Sequence, residues 1–273
     1  MEVKVDLRKS LPENAKGYYE HAKKAKAKIL GAERAIGETL EKISKLAVEE
    51  SVEEEKIVLK KRREERWFER FRWFESSDGF LAVGGRDATS NEVLVKKHLD
   101  SSDLVFHADF HGAPFFIIKN PEGKEIPEGT RREAAVAAGS YSRAWNAGRG
   151  SCDVYYVSPE QVSKTPPAGE YLTKGAFMIY GRKNYFRSVE LKVAVGFKLN
   201  EFVEVLGGPE GAISKQTKHY ALIGVGDVKS GELARKIKDF VMGKASREEA
   251  ERIKAVSLSD IQYWIPSGKG ALL

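Results

Sequence analysis

The architecture of this chain is indicated first by Trp67-Phe68-Glu69-Arg70-Phe71-Arg72-Trp73-Phe74-Glu75-Ser76-Ser77-Asp78-Gly79, a block that continues through Gly84-Gly85-Arg86-Asp87. A second block, His107-Ala108-Asp109-Phe110-His111-Gly112-Ala113, follows it. A third runs from Gln161-Val162-Ser163-Lys164 to Gly181-Arg182-Lys183-Asn184. Three ordered blocks are far more specific than one short motif, so they set the frame for the rest of the sequence.

The blocks are linked by short apolar runs bounded by turn residues, which predicts a mixed α/β domain. The predicted strands are Gly79–Gly85, Leu104–Ala108, Phe115–Ile118, Asp153–Val157 and Gly175–Tyr180. The predicted helices are Ser90–Leu99 and an alanine-rich helix, Arg131–Ala147, closed by Gly148. Thr130 and Glu133 have the spacing of a capping box at the start of the second helix.

The N-terminal part is predicted to be helical. Apolar residues recur every three or four positions from Ala22 to Ala47, which draws a narrow stripe suited to a close partner helix. Ser51 and Glu54 have capping-box spacing, so we predict a reversal near Val48–Ser51 and a second helix to about Phe74. The expected result is an antiparallel coiled-coil hairpin; a single unbroken helix is the alternative, since no glycine or proline interrupts this stretch.

The last third is predicted to be a small α/β domain. Tyr220–Gly226 is predicted as a strand, and Gly231–Met242 as a helix with Leu233, Ile237 and Phe240 facing inward. Ser246 with Glu249 predicts a capped helix to Ala255. Residues 200–214 are expected to be rich in turns, and residues 269–273 to fray. The whole is assigned to the α+β class, with domains at residues 1–75, 76–190 and 191–273.

Composition restricts the function only broadly. The 273 residues carry a formal net charge of +6, which would attract a polyanion such as a phosphate backbone. The single cysteine, Cys152, cannot form an internal disulfide, and no apolar run or signal peptide predicts a membrane or export route. We therefore expect a cytoplasmic protein, without a membrane partner.

Basic residues interleaved with aromatic residues are the main candidates for a binding site. Around Tyr171, Phe177, Tyr180, Tyr185 and Phe186 lie Lys164, Lys174, Arg182 and Lys183. Cations can hold phosphates while rings stack on unpaired bases, so this pattern suits single-stranded or looped RNA; an amphipathic strand with a basic outer face gives the same pattern.

Four arginines before and within the first block are further candidates. On the predicted second helix, Arg62, Arg66 and Arg70 share a face, with Arg63 beside them, while Trp67, Phe71 and Phe74 are expected to dock the coiled coil on the next domain. The arginines either contact phosphate or form a solvated flank. Arg86 follows two glycines that could present N–H groups to a phosphate, although a simple glycine turn with positive φ explains them better.

His107, Asp109 and His111 alternate, so on an extended strand they would point to one side, as metal ligands often do. A metal-dependent hydrolase is therefore kept as an alternative. The preferred interpretation is a polar turn in which His107 and His111 contact RNA. No catalytic motif is recognised, and we expect no cofactor, no metal and no enzymatic activity.

The three blocks resemble the RNA-binding (NFACT-R) domain of the NFACT family, the ribosome-associated quality-control factors called RqcH in prokaryotes and NEMF in animals. The strand, glycine turn and basic helix after residue 219 weakly resemble the C-terminal NFACT domain. The chain begins at the coiled coil, so the resemblance implies a C-terminal part without the N-terminal NFACT-N domain, to which tRNA recognition is credited.

This resemblance implies binding to rRNA of the large ribosomal subunit and to tRNA, with support for alanine tailing of the stalled nascent chain. The coiled coil would reach a stalk-base ribosomal protein, and no DNA partner is implied. A protein-binding coiled-coil scaffold remains an alternative; the family's older description as fibronectin-binding belongs to it, but a chain without an export signal makes that role doubtful.

Overall fold

The computed structural model describes residues 5–8, 10–61, 66–166 and 172–273. They divide into two units, residues 1–65 and 66–273. The helices of the described residues are α1 (Leu11–Lys61), α2 (Ala88–His98), α3 (Glu128–Ser140), α4 (Arg143–Asn146), α5 (Glu210–Gln216), α6 (Ser230–Lys244), α7 (Arg247–Lys254) and α8 (Leu258–Gln262). The strands are β1 (Arg72–Glu75), β2 (Leu81–Gly84), β3 (Leu104–Ala108), β4 (Phe115–Ile118), β5 (Ser151–Val157), β6 (Val162–Ser163), β7 (Met178–Ile179), β8 (Asn184–Glu190), β9 (Lys192–Leu199), β10 (Val203–Gly208), β11 (Tyr220–Lys229) and β12 (Lys269–Leu272). The α+β class is confirmed.

The first unit contains one continuous helix, α1, of 51 residues. The predicted reversal near Val48–Ser51 is therefore wrong, and the unbroken helix, the alternative, is observed. Residues 38–61 contain neither glycine nor proline and consist largely of strong helix formers, so intrinsic propensity carries the helix through Ser51. A capping-box spacing inside such a run does not start a new helix.

The second predicted helix does not reach Phe74. Residues 67–70 form turns, and β1 starts at Arg72. Phe71 and Phe74 are 1% and 3% exposed, so both are core residues as expected, but they enter the core from a turn and a strand. Successive residues of a strand point to opposite faces, and Phe74 lies with Phe116 on the face of the first sheet that α3 covers.

The first sheet has six strands in the order β1-β2-β4-β3-β5-β8, and every neighbouring pair is antiparallel. One face packs on α3, whose alanines allow a close approach to Phe106, Phe116 and Val154. The other face is covered by α2 and by the small β6–β7 sheet. β8 is the terminal strand of this sheet.

The predicted helix 131–147 is divided into α3 and α4. Tyr141 ends α3, and the Ser142 side chain accepts a hydrogen bond from the Ala144 amide to cap α4. The predicted capping box is wrong, because α3 has Pro127 at its N-cap without a side-chain cap. Thr130 instead donates a hydrogen bond to Asp78 at 2.8 Å, which ties α3 to the β1–β2 turn.

The second sheet has the order β10-β9-β11-β12 and packs on α6 and α7, while α8 packs on α6. Leu233 and Ile237 are fully buried as predicted, and the Ser246–Glu249 capping box is confirmed. Two expectations are wrong: residues 203–208 form β10 and residues 210–216 form α5 in place of the expected turns, and residues 269–272 pair with β11 instead of fraying.

The two sheets are joined by buried contacts around Tyr141. Its hydroxyl donates a hydrogen bond to the Trp264 carbonyl at 3.1 Å, and the Arg72 guanidinium lies 4.0 Å from its ring centroid. The Tyr263 hydroxyl donates to the Phe71 carbonyl at 2.9 Å. Residues 66–273 therefore share one interior, although the chain passes from one sheet to the other at Leu191.

The helices of the described residues include none that is both long and apolar enough to cross a membrane.

Candidate nucleic-acid interface

Three adjacent strands place aromatic side chains in a row on one face of the first sheet. His107 of β3 is paired with Tyr155 of β5, and Tyr155 is paired with Tyr185 of β8. The ring centroids of His107 and Tyr155 are 5.7 Å apart, as are those of Tyr155 and Tyr185. The row runs from the sheet interior to Tyr185, which is 36% exposed on the terminal strand. We call these three residues the aromatic row.

His107 is the inner member of the row and is held neutral. Its Nε2–H donates to the Ala113 carbonyl at 3.1 Å, and its ring lies 4.6 Å from that of Phe115. Burial lowers the pKa of His107 to about 4 because the charged imidazolium would lose its hydration. With Nε2 as donor, Nδ1 accepts from the Tyr155 hydroxyl, 3.4 Å away. His107 therefore fixes the platform and adds no charge to it.

Cations lie over the outer rings of the row. The Lys183 ammonium is 4.3 Å from the centroid of Tyr155, and the Arg187 guanidinium is 4.0 Å from that of Tyr185. Arg187 also pairs with Asp153 at 2.5 Å, so its charge is largely balanced. The Tyr185 hydroxyl donates to Asp109 at 3.4 Å, which orients the ring. Lys183 therefore supplies the local positive charge most available to a ligand.

The turn that precedes β8 presents Arg182 beside this row. The Gln161 side chain donates to the carbonyls of Tyr180 and Arg182 at 2.7 and 3.0 Å. Gly181 has φ of +78°, a backbone conformation that residues with a side chain rarely adopt, so the turn requires glycine at this position. Arg182 and Tyr180 are exposed there, so basic and aromatic groups continue from the row onto this turn.

The other two lysines of the third block have different settings. Lys164 donates to the Ala176 carbonyl at 3.1 Å, lies 3.6 Å from the Glu92 carboxylate and stacks on Phe177. It therefore holds the β6–β7 segment against α2, a role that spacing alone does not reveal. Lys174 is exposed on the loop between these strands.

The glycines before Arg86 serve close packing. A Cβ at Gly84 would lie 2.3 Å from the Phe116 ring, and one at Gly85 would lie 1.8 Å from Asn91 Oδ1. Neither glycine has positive φ, so the prediction of a glycine turn with positive φ before Arg86 is wrong. The Asp87 side chain caps α2 by accepting from the Ser90 amide at 2.8 Å, which leaves that amide unavailable to a phosphate. Arg86 itself stacks on Tyr263.

The predicted arginine face is not assembled as expected. Arg62 and Arg63 lie outside the described residues. Arg66 pairs with Glu69 at 2.8 Å, and Arg70 lies 3.3 Å from His98 Nε2. Because residues 67–70 form turns, the helical face predicted for Arg66 and Arg70 does not exist.

The second block forms the end of β3 and the turn into β4. His111 is exposed, while His107 is packed in the aromatic row. Within the described residues, no group of three or more histidine, cysteine, aspartate or glutamate side chains could hold a metal ion. Sequence reasoning missed Tyr155 and Arg187, although alternation along Asp153–Val157 would have placed Tyr155 on the same face as Asp153.

A family model described as NFACT protein RNA binding domain matches residues 70–181. An Archaeal Rqc2 homolog, aRqcH, of Methanocaldococcus jannaschii is 42% identical over 180 residues, covering 66% of this chain and 26% of the relative. The human Ribosome quality control complex subunit NEMF is 44% identical over 188 residues, which cover 67% of this chain and 17% of the relative. The mouse protein of that name is 37% identical over 244 residues, which cover 88% of this chain and 23% of the relative. The chain thus spans about a quarter or less of the length of these relatives.

Proposed function

This chain belongs to the NFACT family, and on that premise we propose that it is the RNA-binding part of a ribosome-associated quality-control factor. The observation that supports RNA binding is the aromatic row with Lys183 over it. In this row Tyr185, at 36% exposure, offers the ring on which an unpaired base can stack, whereas Tyr155 is only 5% exposed and supports it from within the sheet. Neighbouring cations can hold the phosphates. Strands β1 to β5 lie within the residues matched by the family model, and β8 completes the sheet.

A direct test measures binding of a fluorescently labelled single-stranded RNA by anisotropy. Replacing Arg182 and Lys183 by glutamate should weaken binding at least tenfold, because cations become anions beside the row. Tyr185→Ala should cost about 1–3 kcal/mol of binding free energy by removing one stacking surface. Wild-type binding should weaken steeply between about 50 and 200 mM salt.

The matched control replaces Arg235 and Lys236, both exposed on α6, by glutamate. It changes the net charge by the same amount on another element, so binding should stay within about twofold of the wild type. Equal loss in both double variants would mean that only net charge matters, and the aromatic row would not be the RNA site.

In finer detail, we take the RNA to be rRNA of the large ribosomal subunit and tRNA of a stalled peptidyl-tRNA complex, with alanine tailing as the process supported. We assign the chain no catalytic step of its own and place it with ribosomes in the cytosol. Co-sedimentation with purified large subunits tests the first point, and the Arg182 and Lys183 double variant should reduce it while the α6 control does not.

We assign α1 to the stalk-base ribosomal protein. At about 1.5 Å per residue its 51 residues would extend roughly 75 Å. Ile29, Ile36 and Leu40 are between 57% and 59% exposed, which suits a helix that packs on a protein partner. Replacing all three by serine should reduce large-subunit co-sedimentation and leave binding of short RNA unchanged.

A further inference from the structure

A cleft of about 310 Å³ lies on the opposite side of the first sheet from the aromatic row. Its wall consists of Ser102, Leu104, Asn120, Lys124, Glu125, Ile126, Arg131 and Tyr156. The volume is at the lower end of that found for small-molecule sites. The wall combines an aromatic ring, hydroxyl and amide groups, one carboxylate and two cations. Lys124 pairs with Glu122, so Arg131 is the cation of the wall that is left to bind a phosphorylated ligand.

Arg131 of α3 has incompletely satisfied hydrogen-bonding capacity. Its Nη1 donates to the Tyr156 hydroxyl at 3.2 Å, and its guanidinium lies 5.8 Å from the Tyr156 ring centroid. Its Nε is buried and has no acceptor among the described residues. No carboxylate among the described residues pairs with Arg131, so an anion that enters the cleft would meet a guanidinium whose charge is not neutralised.

The cleft and the aromatic row are connected through neighbouring residues of one strand. Tyr155 and Tyr156 are consecutive in β5, so their side chains point to opposite faces. Tyr156 is paired with Asn184, the first residue of β8, directly after Arg182 and Lys183. β8 is the terminal strand next to β5, so a ligand could pass from one face to the other around this single strand.

Basic and aromatic groups are interleaved on this second face as well. The Tyr156 ring stacks on Phe106 at 5.4 Å and lies 5.8 Å from Phe186. The Arg132 guanidinium is 5.5 Å from the Phe186 centroid and also pairs with Glu128 at 3.0 Å. The edge formed by β8 thus has rings with cations near them on both sides.

From this arrangement we propose that the cleft is a second RNA subsite that takes a nucleotide phosphate at Arg131, so that a bound strand wraps the edge of β8. The proposal rests on the proposed RNA binding and extends it to the opposite face. A phosphate in the cleft would give the Arg131 guanidinium the anionic acceptor that the fold does not supply. The same chemistry would suit a free mononucleotide, and the test separates the two sources.

The first measurement is affinity for a single-stranded RNA of about twelve nucleotides, within the span covered by known single-strand sites. Arg131→Gln should weaken binding five- to tenfold. It should also make the slope of log K against log salt shallower by about 0.7, because the RNA then has one phosphate fewer neutralised by the protein. Arg149→Gln is the matched control: it removes an exposed charge from the same domain and should stay within twofold.

A second pair of variants leaves Arg131 intact, in case its loss disturbs folding. Ser102→Glu places a carboxylate at the cleft, and it should weaken RNA binding by a similar factor through repulsion of phosphate. Ser101→Glu introduces the same charge at the exposed neighbouring position and should have less than a twofold effect.

Nuclear magnetic resonance of the full chain gives a direct readout. Because the Arg131 Nε–H is buried, its signal should be protected from exchange, and it should shift on addition of RNA. The subsite would be overturned if Arg131→Gln and Ser102→Glu both bound RNA with wild-type affinity and RNA left the Arg131 Nε–H signal unmoved. In that case, weakened RNA binding by the Arg182 and Lys183 double variant would still support the proposed function. A signal moved by adenosine monophosphate but not by RNA would overturn the wrapped strand in favour of a free nucleotide. Failure of the wild type to bind RNA at low salt would overturn both proposals.

Discussion

The imidazole of His107 is predicted from the sequence to contact RNA, with metal ligation as the alternative. In the fold its ring lies between Phe115 and Tyr155 and donates to the Ala113 carbonyl. Alternation with Asp109 and His111 describes an extended strand, but β3 ends at Ala108 and the chain turns. A strand pattern that continues past the end of its strand no longer places side chains on one face.

The neutral state of His107 predicts a pH dependence of stability. Its pKa in the folded chain is about 4, below the ordinary value of 6.5, so the unfolded chain binds more protons between these pH values. Stability should therefore fall as the pH decreases through this window, by about 2 kcal/mol between pH 7 and 5. Urea unfolding at the two pH values measures the difference.

Two variants isolate this effect. His107→Gln should be less stable at pH 7 but lose about 2 kcal/mol less than the wild type on going to pH 5. His111→Gln replaces an exposed histidine and should keep the wild-type difference. An unchanged difference in His107→Gln would show that other groups cause the acid sensitivity.

In helices and strands, glycine can have opposite effects on stability, as α1 and β2 show. Gly31 and Gly37 lie within α1, and an added Cβ at either would meet no atom within 4 Å. At Gly84 of β2 the added Cβ would lie 2.3 Å from the Phe116 ring. Glycine weakens the helix through backbone freedom, whereas in the strand it makes room for a ring.

Alanine substitution should therefore act in opposite directions. Gly31→Ala should stabilise α1 by about 1 kcal/mol, which slows amide exchange of α1 peptides about fivefold in mass spectrometry. Gly84→Ala should instead lower the unfolding midpoint of the second unit, because the Phe116 ring must move. Faster exchange of α1 in Gly31→Ala would contradict a continuous helix at that position.

For the second unit as a whole, the two sheets share one interior at Trp264. Its ring is 5% exposed, its Nε1–H donates to the Val205 carbonyl at 3.2 Å, and its own carbonyl accepts from Tyr141. A Cβ at Gly207 would lie 2.4 Å from this ring. Loss of the indole would thus affect both sheets.

Trp264→Ala should destabilise residues 66–273 by about 3–5 kcal/mol. Amide exchange should rise together in β2 to β5 and in β9 to β11, because both sheets unfold as one cooperative unit. Trp67→Ala removes the same side chain where it is 37% exposed and stacked on His98, and should cost much less. Faster exchange confined to the second sheet would mean that the two sheets unfold independently.

Much of this fold could be predicted from local pattern. The strands at Leu104–Ala108 and Phe115–Ile118, the helix after Arg86 and the Ser246 cap follow from apolar runs and capping residues. The errors at residues 48–51, 200–214 and 269–273 have another origin. Helix α1 continues through Ser51 because its residues have high helix propensity, and the Ser51–Glu54 spacing does not act as a cap. β10 and β12 are strands because they pair with the edges of β9 and β11.

Residue types and their order along the chain are enough to identify the family, the α+β class and the basic and aromatic composition of the third block. Folding is what makes Lys164 a structural contact, keeps His107 neutral and puts Tyr155 and Tyr156 on opposite faces of the first sheet. Those properties depend on which strands become neighbours and on how far each group is removed from water, and pairing of distant segments is not encoded in local spacing.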